Sequence, residues 1–110
     1  MKKINLTIIG CEGRMGKQLI RSAKINNNFK LVSLTESRKT NRRISGIKPE
    51  LNTSHAFKRT NVIIDFTVPK CTLEVLKFAV KHKKRVVIGT TGFTKKQEKI
   101  IKNYSKKIPI

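Results

Sequence analysis

With 110 residues the chain can build a single hydrophobic core, which bounds it to one domain over residues 1–110. Its 26 Lys and Arg against 6 Asp and Glu, a formal net charge of +20, make a nucleic-acid partner the first reading to test. The cations are scattered before the first predicted strand, along every predicted helix and at the tail, with one tyrosine and five phenylalanines as the only aromatic rings. That pattern weighs toward a solvated basic surface and against a dedicated nucleic-acid site. Heavy use of Lys, Asn and Ile also fits an A/T-rich coding sequence. Cys11 and Cys71 fall in no metal-ligand or redox spacing and read as reduced thiols, so no metal site is expected. No stretch approaches membrane length or the form of a signal peptide, and a soluble, cytoplasmic protein is expected.

Ile4, Leu6, Ile8 and Ile9 form a short apolar run, as expected of a parallel strand buried on both faces. Gly10, Gly13 and Gly16 follow at G-x-x-G-x-x-G spacing, a strand-to-helix turn whose free N–H groups would face a pyrophosphate. Glu12 stands where a second glycine is often found, and such a pattern alone is weak evidence. Met15, Leu19, Ile20 and Ala23 then recur at helical spacing, Asn26 to Asn28 end that helix, and Phe29 to Leu34 read as a second strand. The unit is βαβ, with parallel strands. Glu36 stands at its end, twenty positions after Gly16, about where a dinucleotide fold places the acid that takes the ribose hydroxyls.

Residues 37–53 are polar and basic and read as a loop. Arg38, Lys39, Arg42 and Arg43 follow the acid closely; they suit a 2′-phosphate, and equally a mobile charged loop. One helical turn is predicted over 54–58, with His55 on the surface. Asn61 to Phe66 form a third strand, and Pro69 opens a helix whose face is Leu73, Leu76, Ala79 and Val80. Arg85 to Ile88 form a fourth strand running into Gly89-Thr90-Thr91-Gly92-Phe93. Thr94 to Gln97 spell a capping box, and Ile100, Ile101 and Tyr104 are the predicted buried face of the last helix. Ile108 to Ile110 look like the start of a fifth strand. The fold class is α/β, a Rossmann-like doubly wound parallel sheet, in which ligands lie beyond the carboxyl ends of the strands.

The segments Gly10-Cys11-Glu12-Gly13-Arg14-Met15-Gly16, Glu36, Asp65-Phe66-Thr67-Val68-Pro69 and Gly89-Thr90-Thr91-Gly92-Phe93 closely resemble the N-terminal domain of the dihydrodipicolinate reductase family, now also called 4-hydroxy-tetrahydrodipicolinate reductase. The resemblance covers essentially the whole chain. It implies an NAD(P)H-dependent reductase of the diaminopimelate route to lysine, a cytoplasmic homotetramer acting on a small-molecule substrate. It further implies that the backbone of Gly10, Cys11, Glu12, Gly13, Arg14 and Met15 binds the cofactor pyrophosphate and Glu36 the adenosine ribose. Gly89, Thr90 and Thr91 would meet the nicotinamide end, Thr91 close to the substrate, with Phe66 and Thr67 lining the cleft between.

Several positions depart from the family pattern. Glu12 brings a carboxylate toward a dianionic ligand unless Arg14 or Lys17 pairs with it. Ser37 stands where well-known members carry an arginine that reads the 2′-phosphate, so Arg38 would have to substitute. Val68 replaces a residue that is often basic. The family's second α+β domain, with its His-rich segment, lysine proton donor and substrate loop, has no counterpart in these 110 residues. No catalytic residue is therefore assigned. The expectation is a domain truncated before that second one, binding NADH or NADPH without turning over. The alternative, from a different class, is a non-catalytic basic module that binds a nucleotide or nucleic acid on the same fold.

Overall fold

The computed structural model describes residues 2–110. Four strands, β1 (Ile4–Ile9), β2 (Phe29–Thr35), β3 (Val62–Asp65) and β4 (Arg85–Ile88), form one sheet in the order β2-β1-β3-β4, every pair parallel. The helices α1 (Arg14–Ile25), α2 (Ser54–Phe57), α3 (Pro69–Lys81) and α4 (Lys95–Tyr104) lie between or after them. The chain steps outward from β1 to β2 and then to the other side of β1 for β3 and β4. The order therefore reverses between β1 and β3, and their carboxyl ends open a crevice.

The sheet separates two apolar clusters. On one face Ile8 and Leu34 meet Ile20 of α1 and the fully buried Cys11. On the other, Ile9, Ile63 and Val86 meet Phe57 of α2 and Val75, Leu76 and Ala79 of α3. Phe57 has 0% exposure and packs against Phe78 with ring centroids 6.1 Å apart and planes tilted by 50°, a favourable aromatic geometry.

Several side chains differ from expectation. Met15 is 46% exposed and lies outside the buried stripe of α1, which consists of Gly16, Ile20 and Ala23. The face of α3 centres on Thr72, Val75, Leu76 and Ala79, with Leu73 and Val80 half-buried. Helix α4 has no fully buried residue, because it packs on α3 at the rim of the molecule. Val87 of β4 is 51% exposed, since α1 covers β1 and β2 only and no described helix covers β4 on that side. The expected fifth strand is not formed among the described residues. One backbone bond, Val86 N to Pro109 O at 3.1 Å, sets that segment beside β4 with Ile108 buried. The capping box does form: Thr94 Oγ1 accepts from Gln97 N at 3.1 Å, and Gln97 Oε1 accepts from Thr94 N at 2.8 Å.

The approach of α1 to the turn before it depends on Gly16. A Cβ there would lie 2.2 Å from Gly10 O and 3.0 Å from Cys11 Cα, both main-chain atoms. In an exposed helix interior Ala would be favoured over Gly by about 1 kcal/mol; here the clash reverses the sign, because the backbone can yield only by moving α1. Gly16→Ala is expected to lower stability by about 1–3 kcal/mol, read as a lower urea midpoint with an unchanged slope.

Candidate functional site

The site lies at the carboxyl ends of β1, β2, β3 and β4 and begins at the turn after β1. Gly10 has φ +72°, a conformation that side-chain-bearing residues rarely adopt. Its N–H and that of Cys11 both donate to Thr35 O, at 2.9 and 3.2 Å, which ties the turn to the end of β2. Gly13 N closes back on Gly10 O at 3.0 Å. The first bond of α1 is Lys17 N to Gly13 O at 3.0 Å, and no side chain caps the helix. The amides of Arg14 and Met15 precede that bond, so a smaller part of the turn than expected is free to meet an anion. The amides of Gly10, Cys11, Glu12 and Gly13 already have internal acceptors.

Glu12 N donates to Glu36 Oε2 at 3.0 Å, and Ser37 N donates to Glu36 Oε1 at 2.9 Å. The carboxylate is thereby fixed at the tip of β2 against the glycine turn. The backbone around it is held from a distance: Glu36 N donates to Glu50 O and Glu50 N to Leu34 O, both at 2.9 Å, so Glu50 makes a parallel bridge beside Thr35. Nothing in the sequence marked Glu50 for this role. Its own carboxylate hydrogen-bonds with Nδ1 of the exposed His55. Glu12 is exposed and pairs with neither Arg14 nor Lys17. The Cys11 thiol is pushed up to about 11, by burial first and then by the charges of Glu36 and Glu12. It is a buried, protonated filler of the turn.

A cleft of about 440 Å³ opens next to Glu36, lined among others by Ser37, Leu51, Val68, Lys70 and Cys71. A smaller one of about 190 Å³ continues to Gly10 and Thr67. Lys70 supplies a cation two positions beyond Val68, which is itself 60% exposed. Arg38, Lys39 and Arg42 are exposed and carry no ion pair, while Arg43 Nη1 donates to Gly46 O of its own loop at 3.2 Å.

The loops after β3 and β4 meet. Phe66 lies against Gly89 so closely that a Cβ on Gly89 would stand 1.9 Å from its ring. Thr67 presses its methyl on the other side toward Gly10, whose Cβ would lie 2.8 Å from Thr67 Cγ2. Thr67 N donates to Thr90 Oγ1 at 2.9 Å and Thr67 Oγ1 to Asp65 Oδ1 at 2.5 Å. Thr90 is only 8% exposed, so its hydroxyl faces inward and is not presented to a ligand, whereas Thr91 is exposed. The structure thus lines one cleft with Gly10, Glu36 and Thr67, packs Phe66 against Gly89, and leaves Arg38 and Thr91 exposed. These features fit a dinucleotide: uncapped helix amides for a diphosphate, a fixed carboxylate for ribose hydroxyls, and an apolar-walled cleft beside it.

The family model described as dihydrodipicolinate reductase, N-terminus, matches residues 4–110. The chain belongs to that family. It is 64% identical over its full length to 4-hydroxy-tetrahydrodipicolinate reductase of Pelagibacter ubique (strain HTCC1062), of which it covers 43%. It is 41% identical, over 99% of the chain and 45% of the relative, to the reductase of the same name from Buchnera aphidicola subsp. Acyrthosiphon pisum (strain 5A). The chain therefore spans less than half the length of these curated relatives. Among solved structures, the dipicolinate-bound dihydrodipicolinate reductase of Paenisporosarcina sp. TG-14 superposes with a TM-score of 0.76 at 24% identity, over 94% of this chain and 43% of that one. Homoserine dehydrogenase of S. aureus reaches the same TM-score at 17% identity, over 99% of this chain and 32% of that one. At such identities the likeness is one of fold. Fold and family together make the chain a dinucleotide-binding domain of the Rossmann kind, which supports a nicotinamide cofactor.

Asp65 is fully buried, and burial raises its carboxyl above the ordinary value of 3.8 despite the hydrogen bond that the Thr67 hydroxyl donates to it. The folded state consequently holds this proton more tightly than the unfolded one, and the Asp65 contribution to stability falls as pH rises from about 4 to the raised folded value. In Asp65→Asn that contribution is absent. Thermal unfolding of the two chains across pH 4–8 is expected to show the variant gaining on the parent as pH rises; a constant difference would mean that Asp65 is not desolvated.

Proposed function

We propose that this chain is the cofactor-binding part of a 4-hydroxy-tetrahydrodipicolinate reductase and that it binds both NADH and NADPH. The observation that carries the reading is the Glu36 carboxylate, fixed by Glu12 N and Ser37 N at the tip of β2 beside the uncapped start of α1. Arg14 and Met15 amides hold the pyrophosphate, Glu36 accepts from the adenosine ribose, and the adenine enters the cleft walled by Leu51, Val68 and Cys71. Phe66, Thr67 and Gly89 line the path to the nicotinamide end, and the exposed Thr91 stands nearest the substrate. When bound, a reduced nicotinamide supplies a hydride to the cyclic precursor of tetrahydrodipicolinate in lysine biosynthesis. The groups that hold and protonate that precursor are assigned to the portion of the relatives that this chain does not span, as is assembly into a homotetramer.

Glu36 by itself suits NADH, because its charge repels the extra phosphate of NADPH. Arg38 and Lys39 offset that repulsion from the adjacent loop, with the remaining cations of the segment behind them. Titration with each cofactor tests the assignment. A charged acceptor on the ribose hydroxyls contributes roughly 1.5–3 kcal/mol, so Glu36→Ala should weaken NADH binding by about one to two decades. Arg38→Ala should weaken NADPH more than NADH. Equal dissociation constants for parent and Glu36→Ala would remove Glu36 from the site, and equal losses for both cofactors in Arg38→Ala would show that the loop does not read the phosphate.

A further inference from the structure

Asp65 and Thr72 are both 0% exposed, yet every polar link between the β3 and β4 loops leads back to them. Thr72, in the first turn of α3, donates its hydroxyl to Thr90 Oγ1 at 2.9 Å, the oxygen that also accepts from Thr67 N at 2.9 Å. With two donors arriving, the Thr90 proton is left to face Asp65 O at 3.4 Å. That carbonyl also accepts from Gly89 N at 2.8 Å, and the Asp65 carboxylate takes the Thr67 hydroxyl. Three segments, at residues 65–67, 72 and 89–90, are thereby locked into one hydrogen-bonded unit. Asp65 Oδ2 remains buried without a partner. An unpartnered buried carboxylate oxygen costs stability, so its presence here calls for a return outside simple packing.

We propose that Asp65 and Thr72 are positioning residues that set the geometry of the nicotinamide end of the site without contacting the ligand. Asp65 fixes Thr67, and Thr72 fixes Thr90 beneath the Gly89–Thr91 segment. The proposal rests on the dinucleotide reading above. It makes a specific division of labour: the adenosine end is held by a separate set of bonds, from the glycine turn to Thr35 and from Glu36 to Glu50, which do not include this unit. Loosening the unit should therefore weaken recognition of the nicotinamide ring and leave the rest of the dinucleotide alone.

ADP-ribose, which has every part of the cofactor except that ring, separates the two ends. The parent chain, Thr72→Val, Thr72→Ser, Asp65→Ala and Asp65→Asn are titrated with NADH and with ADP-ribose, and exchange of the Thr67 amide is followed by NMR in the ligand-free chains. Thr72→Val, which removes one hydroxyl at nearly constant volume, is expected to weaken NADH by about five- to tenfold with ADP-ribose changed less than twofold, and to speed Thr67 exchange by a similar factor. Thr72→Ser should restore both readouts. Asp65→Ala should behave as Thr72→Val does, and Asp65→Asn, which keeps an acceptor for Thr67, as the parent. If Asp65→Ala does not fold, the Val and Ser variants of Thr72 carry the comparison by themselves. Equal losses for NADH and ADP-ribose, unchanged NADH affinity in Thr72→Val, or unchanged Thr67 exchange would each overturn the proposal. A parent chain that binds neither ligand would overturn the dinucleotide reading instead, and the exchange rates would then decide alone whether the two residues hold the loop.

Discussion

The site depends on how closely the start of α1 packs against the turn that precedes it. Gly16 has its missing Cβ directed at Gly10 O, where an added carbon would stand 2.2 Å away. This contact draws the first turn of α1 close over the end of β1, while Glu12 N in the turn holds the carboxylate of Glu36 beside it. Gly10 contributes a second constraint through its positive φ, which lets its own N–H and that of Cys11 reach the same carbonyl of Thr35. The β1–β2 register, the position of Glu36 and the direction of α1 are consequences of the same few ångströms of main-chain proximity.

Around that contact the sheet divides its polar work. The side nearer β2 is held mostly by backbone bonds, from Thr35 to the turn and from Glu50 to the flanks of Thr35, with the Glu36 carboxylate as the one side chain that joins them. The side nearer β4 is held by side chains: Thr67 Oγ1 donates to the Asp65 carboxylate, Thr72 Oγ1 to Thr90 Oγ1, and Thr90 Oγ1 to the Asp65 carbonyl. Backbone ladders tolerate sequence change because any residue can supply them. A cluster of buried hydroxyls and a carboxyl is specific to its residues, since each unsatisfied member costs free energy in a low-dielectric interior. The two ends of the crevice are thus stabilised by different physics, although both are loops at the tips of parallel strands.

Much of this was legible in the sequence because the signals are local. The four strands and the helices fall where periodicity, glycine turns, Pro69 and the Thr94–Gln97 capping box place them, and Glu36 was found by its distance from Gly16. What escaped depends on pairing between distant segments. Glu50 gave no periodic or motif signal, yet the returning loop pairs it with β2. Thr72 and Asp65 look like ordinary members of a helix and a strand until α3 is laid on the sheet. Phe57 sits in a helical turn too short to show a face, and only the tertiary fold buries it. Met15 errs the other way: it is apolar and in pattern, yet 46% exposed. Charge was the least informative property, since the net +20 resolves into dispersed Lys and Arg side chains, none paired with a carboxylate among the described residues.

The bridge between Thr35 and Glu50 acts as a clasp that closes the basic loop at its base. Once its two ends are joined there, the entropy of the intervening segment varies only with the logarithm of its length, about 0.6 kcal/mol for each doubling. Outside Ile44, Ile47 and Pro49, which are anchored in the core, residues of the segment can be exchanged at small cost to the acid at its root. Selection can then revise the loop's length and charge as a separate part, while the scaffold that carries Glu36 stays as it is.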